Sequence, residues 1–390
     1  MLQLLAKRFI PDWQNYTDTA VRRQYGMLCS LVGIVFNLLL FAGKYLAGFL
    51  SGSIAIMADA FNNLSDGGSS LITLLGFKLS GMKPDKEHPF GHGRMEYIAG
   101  FSVSVAIILM GFELGRSSLV KLFHPEPVET SWLSMGILAA SIAVKLYMYS
   151  YNRILGGKLH SDAMEATATD SLSDAVATGA VLLCMLLNAV TGLDLDAWCG
   201  LLVALFILKA GYGAARDTLS PLLGRAPDKE LVDEIYRIVM EHEQVVGLHD
   251  LIVHDYGPGR LMISLHCEVP EDGNILDMHE AIDHIEKELT ERLGCDAVIH
   301  MDPIATEDET VNAAREQVAE LARRVEPQAT IHDFRMVRGT HNTNLIFDMV
   351  LPIESQMSGA EARTRIAALV AEAMPGCQTV VHIDKAYTDR

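Results

Sequence analysis

The sequence has no HExxH, GxSxG or P-loop pattern. It therefore lacks the common signatures of metalloproteases, serine hydrolases and nucleotide-driven machines, and the chain is read as a non-enzyme. Its six cysteines are scattered at 29, 184, 199, 267, 295 and 377 and include no CxxC pair. That excludes a thiolate zinc ribbon or a disulfide framework and suits reduced packing residues in a cytosolic setting. The opening "MLQLLAKRFIPDWQNY" has no basic stretch followed by an apolar core, so it reads as a short amphipathic start, not a cleaved signal. The far part of the chain is poor in positive charge. Up to Arg225 there are 17 basic and 17 acidic residues; beyond it there are 14 and 32, so the whole net charge of −18 lies there. Such a part repels nucleic acid and draws cations, although solubility alone accounts for the charge equally well.

Half of the residues are hydrophobic and the mean hydropathy is +0.22 despite 21% charged residues, which points to two unlike parts. Six apolar segments, roughly 26–48, 55–80, 95–120, 131–152, 165–191 and 194–214, are each long enough to span a bilayer, for which about 20 residues suffice. The flanking charge sorts by side. Lys7, Arg8, Arg22 and Arg23 precede the first span. Lys78, Lys83, Lys86 and Arg94 lie in the second connection, Arg153 and Lys158 in the fourth, and Arg216, Arg225 and Lys229 after the sixth. The first and fifth connections have no basic residue and the third has only Lys121 nearby. The positive-inside rule then predicts both termini in the cytoplasm, in a multi-pass protein of the inner or plasma membrane.

After Pro227 helix and strand patterns alternate and then recur. His249-Asp250 matches His332-Asp333 at an offset of 83, while Pro270, Gly294-Cys295 and His300 match Pro352, Gly376-Cys377 and His382 at 82. The expected fold class is an α-helical membrane protein with six spans followed by two tandem cytoplasmic α+β lobes of αββαβ order. The expected boundaries are an N-terminal arm at 1–25, the membrane domain at 26–215, a linker at 216–227, a first lobe at 228–304, a linker at 305–310 and a second lobe at 311–390.

Acidic groups inside apolar runs carry the chemistry. Asn62 and Asp66 stand i, i+4 on the second span, and Asp170 and Asp174 repeat that spacing on the fifth. Each Asp at a span centre costs about 2.5–3.5 kcal/mol on insertion scales, and such residues mark ion pathways. Two helices that each present a polar pair supply four ligands to one ion; the plainer reading is interhelical hydrogen bonding. Asp59, one turn earlier, would extend the polar path. Asp85, His88 and His92 in "PDKEHPFGHGRMEY" suit a borderline cation, as a solvated loop also would. His249, His266, His279, His300 and Asp302 form a third candidate set in the first lobe.

The stretches "ADAFNNLSD", "HPFGHGRMEYIAG", "ATDSLSDAVATGA" and "GLHDL…LHCEV…AVIHMDP" resemble the cation diffusion facilitator family over about residues 15–305. The resemblance implies a homodimer, six spans per protomer, a ferredoxin-like cytoplasmic domain and export of divalent metal in exchange for protons. It implies an intramembrane site of Asn62, Asp66, Asp170 and Asp174, a loop site of Asp85, His88 and His92, and a regulatory metal site of His249, His266, His279, His300 and Asp302. Zinc members usually carry a histidine in the intramembrane set. This all-oxygen set resembles the bacterial manganese-exporting branch, since hard oxygen ligands suit Mn²⁺ better than Zn²⁺. Zn²⁺, Fe²⁺, Co²⁺ and Cd²⁺ are the alternative cargoes; a metal sensor and a membrane metalloenzyme are the remote ones. Relatives often have an Asp at the position of Gly224 that pairs with a basic residue at the position of Arg94, with Asp217 a candidate substitute here. The second lobe is an addition to the usual single domain. It keeps His332, His382 and Asp384 but has Asp348 in place of His266 and about Glu361 in place of His279, so packing or sensing is expected of it rather than metal binding.

Overall fold

The computed structural model describes residues 2–51, 54–124, 132–191, 196–340 and 342–386. The connections around 52–53, 125–131 and 192–195, on which part of the charge-sidedness reading rests, lie outside the described residues, as does the side chain of Asp59. Two units emerge. One comprises Met1–Arg225 together with Asp255–Gly259; the other comprises Ala226–His254 and Arg260–Arg390.

The first unit is helical: α1 (Leu2–Phe9), α2 (Thr19–Ser51), α3 (Ile54–Ser80), α4 (Met95–Phe123), α5 (Trp132–Leu159), α6 (Asp162–Thr191) and α7 (Asp196–Leu223). α2, α4, α6 and α7 contain windows apolar enough to cross a membrane. α3 and α5 are as long, and each carries an ionisable group near its middle, Asp66 and Lys145. The N-terminal arm is more ordered than its sequence suggests. Leu2, Ala6 and Ile10 repeat at helical spacing and are buried against Val21, Tyr25 and Cys29, and α2 starts at Thr19.

Small residues let the helices approach closely, and polar side chains join them. A Cβ on Gly76 of α3 would lie 2.3 Å from the Ala99 Cβ of α4, and one on Gly100 would lie 2.8 Å from Thr218 of α7. Thr73 and Thr167 share a 3.2 Å hydroxyl contact between α3 and α6. The Arg22 guanidinium, counted among the sidedness charges, is instead buried. It donates to both oxygens of Glu96 and to the carbonyls of Leu159 and His160, while the Ser161 hydroxyl donates to Glu96 Oε1 at 2.6 Å. This cluster ties the starts of α2 and α4 to the α5–α6 turn. Glu96 is only 1% exposed, so Glu96→Ala leaves a buried guanidinium without its counter-ion. A loss of about 3–5 kcal/mol is expected, read as a lowered thermal unfolding midpoint in detergent.

The second unit holds two lobes of the same order. The first is α8 (Lys229–Met240), β1 (Gly247–Asp255), β2 (Leu261–Pro270), α9 (Ile275–Leu293) and β3 (Cys295–Ile304). The second is α10 (Glu309–Val325), β4 (Thr330–Arg338), β5 (Thr343–Leu351), α11 (Gly359–Ala373) and β6 (Cys377–Lys385). Sheet orders are β1-β2-β3 and β4-β5-β6, with β2 parallel to β3, β5 parallel to β6, and β4 antiparallel to β5. Inward residues of each sheet face the apolar stripes of two helices: Ile263 and Leu265 meet Ile235, Ile238, Ile285 and Leu289 in one lobe, and Leu345 and Phe347 meet Val318, Leu321, Ile366 and Val370 in the other. The repeat reaches fine detail. Asp250 and Asp333 both take φ near +50°, and the backbone N–H of Asp333 donates to Glu268 Oε1 at 3.0 Å, joining the lobes.

Candidate metal centres

Two of the four intramembrane residues, Asp66 and Asp174, meet through a group that the sequence reading passed over. Lys145, in the interior of α5 and 2% exposed, donates from Nζ to Asp66 Oδ2 on α3 and to Asp174 Oδ2 on α6, each at 2.6 Å. Asp170, 6% exposed and one turn from Asp174, interacts electrostatically with Asp66, Asp174 and Lys145. The i, i+4 spacing on α6 aims both carboxylates the same way, and the Thr73–Thr167 contact holds α3 beside α6 close by. Asp66 and Asp174, from two helices, thus share one cation position, filled here by the Lys145 ammonium. Asn62 is exposed on α3, whereas its neighbour Asn63 is buried. A lone lysine within "SIAVKLYMYS" obeys the same rule as the aspartates, that mid-span charge is kept for a purpose, and that rule would have singled it out.

The loop residues also come together. Ligand atoms of Asp85, His88 and His92 lie within 4.8 Å of one another. Asp85 Oδ2 is 3.5 Å from His92 Nε2, and Asp85 Oδ1 accepts the backbone N–H groups of His88 at 2.6 Å and Glu87 at 2.9 Å. The His88 amide, foremost among these donors, holds the Asp85 carboxyl below its usual pKa. The set therefore presents a fixed carboxylate beside two imidazoles.

In the first lobe, His249, His266 and Asp302 form a cluster of the same tightness. Asp302 Oδ2 is 2.8 Å from His266 Nδ1 and 3.4 Å from His249 Nε2, and Asp302 Oδ1 is 3.3 Å from His300 Nε2. The parallel register of β2 and β3 sets this up by placing His266 opposite His300 and Glu268 opposite Asp302. His279 does not join them. It sits exposed on α9, with Asp283 one turn away at 3.6 Å.

The second lobe differs from expectation. His332, Asp348 and Asp384 place ligand atoms within 4.8 Å of one another, and so do His249, Asp250 and His332. The His249 and His332 rings stack with centroids 4.1 Å apart. Burial lowers the His249 pKa, but Asp250, Glu268 and Asp302 outweigh it and the net shift is upward. Burial and then the His249 charge push His332 down. Charging one ring disfavours charging its stacked partner.

Arg94, whose expected aspartate partner is replaced by Gly224, bonds elsewhere. It donates to the Asp255 carbonyl at 2.9 and 2.7 Å, and the Tyr97 hydroxyl donates to Asp255 Oδ2 at 2.7 Å, all within the helical unit to which Asp255–Gly259 belongs. Asp217, the candidate substitute, is exposed on α7.

Residues 30–223 match the cation efflux transmembrane domain, and residues 227–304 match the cation efflux protein cytoplasmic domain. An uncharacterized transporter of Methanocaldococcus jannaschii is 32% identical over 250 residues, covering 64% of this chain and 88% of that protein. The cation-efflux pump FieF of Salmonella paratyphi A is 30% identical over 288 residues, covering 73% and 95%. Most of α2, all of α3 to α7 with Asp66 and Asp174, and the αββαβ lobe that follows lie within these matched stretches, and the chain belongs to the cation efflux, or cation diffusion facilitator, family of divalent-metal transporters.

Proposed function

We propose that the protein exports Mn²⁺ in exchange for protons through a site formed by Asp66, Asp170 and Asp174, with Asn62 as a neutral ligand on the same helix as Asp66. The observation that carries this reading is the buried cation position itself: Asp66 and Asp174, from different helices, already share one ammonium at 2.6 Å each. The side chains are all oxygen donors, which favours Mn²⁺ over Zn²⁺ because Zn²⁺ gains most from imidazole or thiolate.

The coupling follows from electrostatics. Three carboxylates in a low-dielectric interior do not all stay ionised beside a single ammonium, so the metal-free site holds protons. A divalent ion requires ionised ligands and displaces those protons together with Lys145. If the emptied site faces the side richer in protons, it reloads with them, and an inward proton gradient drives metal outward. In this reading both termini lie in the cytoplasm of a bacterial-type inner membrane, two protomers form a homodimer, and metal held by His249, His266 and Asp302 biases the spans through the first lobe.

Proteoliposomes with an imposed pH gradient test the proposal. Mn²⁺ flux is expected to rise with the gradient and to collapse with a protonophore. Flux indifferent to the gradient rejects the coupling, and Zn²⁺ that suppresses Mn²⁺ flux at equal concentration rejects the metal assignment.

A further inference from the structure

The second lobe brings to its sheet edge a set of groups that the single-lobe relatives have no chain to supply. His332 leaves β4 just before the register shift between His332 and Arg335, and the parallel register of β5 and β6 sets Asp348 opposite His382 and Val350 opposite Asp384. That arrangement matches the first lobe, in which His249, His266 and Asp302 take the corresponding places. The lobes meet so that the two equivalent histidines stack, and Asp250 Oδ1 of the first lobe lies 3.7 Å from His332 Nε2 of the second.

We propose that His332, Asp348 and Asp384 form a divalent-cation site which, with Asp250 of the neighbouring lobe facing the same imidazole, clasps the two lobes of a single chain. Three observations carry it. The ligand atoms of His332, Asp348 and Asp384 already lie within coordination reach of one shared centre, 4.8 Å apart at most. Both ring nitrogens of His332 are buried without a hydrogen bond, and its side chain is only 11% exposed. Buried imidazole nitrogens are normally satisfied, so the two of His332 ask for a partner that no side chain provides at hydrogen-bonding distance. Finally, the charges fit. Three carboxylates gather around two imidazoles, an excess of negative charge that a dication neutralises.

One imidazole with carboxylates selects a borderline ion such as Zn²⁺ or Co²⁺ more than a hard one. The site would act as an internal clasp. Family members join separate protomers through their C-terminal domains, whereas this chain would close one lobe onto another with metal, independently of whether the membrane site carries Mn²⁺ or couples to protons.

The test is equilibrium binding of Co²⁺ and of Zn²⁺ to the purified full-length protein, with Co²⁺ absorption reporting nitrogen and oxygen coordination. Asp348→Asn, which lies wholly in the second lobe, is expected to weaken one class of site at least tenfold. His332→Gln should remove one bound ion and its spectral bands, while His266→Gln should lose the first-lobe ion and retain this one. Asp174→Ala should leave both lobe sites unchanged. Unaltered stoichiometry and affinity in both Asp348→Asn and His332→Gln would overturn the proposal and leave the stacked rings as packing alone.

Discussion

Replacing Lys145 with methionine, which keeps most of the length of the side chain and removes its charge, should tighten Mn²⁺ binding to the membrane site by about 10–100-fold while slowing transport at least tenfold. Lys145 bonds two of the three carboxylates, so a metal ion has to displace an ammonium that is already in place. At an effective dielectric of about 20, each such contact is worth several kcal/mol before desolvation. Most of that is cancelled by the cost of burying the charges. A net competition of about 1.4–2.8 kcal/mol corresponds to one or two decades in affinity. Without the ammonium, the metal-free site holds about one further proton, and because metal binding ionises all three carboxylates that proton is also released, leaving the loaded site with one negative charge. Calorimetry in buffers of different ionisation enthalpy measures both quantities. Lys145→Arg keeps the charge and should keep the wild-type proton count. Unchanged affinity and proton release in the methionine variant would reduce Lys145 to a structural tether.

The slowing follows from the same picture. A tethered cation that returns to Asp66 and Asp174 when the site opens helps to expel the metal, because rebinding then has to break the restored pairs. Remove the tether and release becomes the slow step, even though binding improves. Affinity and turnover moving in opposite directions is a signature that simple loss of folding does not produce.

Much of this architecture could be read in advance, and the reasons are physical. Hydrophobic runs of bilayer length are hard to produce by accident, and the offset of 82–83 residues between His249 and His332, or Gly294 and Gly376, announces a duplicated lobe before any strand is assigned. Gly294 shows why the repeat is so clear: it caps α9 in the left-handed region, at φ +64°, and Gly376 likewise takes φ +90°. What the sequence hides is side-chain partnership across elements. Arg22 reads as a flanking charge and is instead buried against Glu96. Lys145 was not set beside the aspartates, since no local spacing links residues 66, 145 and 174. His279 shares the acidic setting of the other histidines but lies on the outer face of α9, a distinction that needs the helix orientation. The stack of His249 on His332 depends on how the lobes meet, and the exchange of His266 for Asp348 concealed that the second lobe still gathers ligands.

Asp174→Ala should abolish metal export, by at least 100-fold in vesicle flux and to the level of cells lacking the protein in a metal-tolerance assay scanned over Mn²⁺, Zn²⁺, Fe²⁺, Co²⁺ and Cd²⁺. Charge balance makes the case. With Asp66, Asp170 and Asp174 ionised and Lys145 charged, a bound dication brings the site to neutrality. Without Asp174 the same arrangement carries one excess positive charge inside the bilayer, and Lys145 also loses one of its two partners. The prediction has a companion that a purely steric account does not share. In Asp174→Ala with Lys145→Met, two carboxylates face one dication and neutrality returns, so Mn²⁺ should bind about tenfold more tightly than to Asp174→Ala alone, with fewer ligands and still weaker than to Lys145→Met. A double-mutant cycle reads this coupling directly. Additive effects would mean that the ammonium and the metal do not compete for one position, and the exchange between them would have to be abandoned.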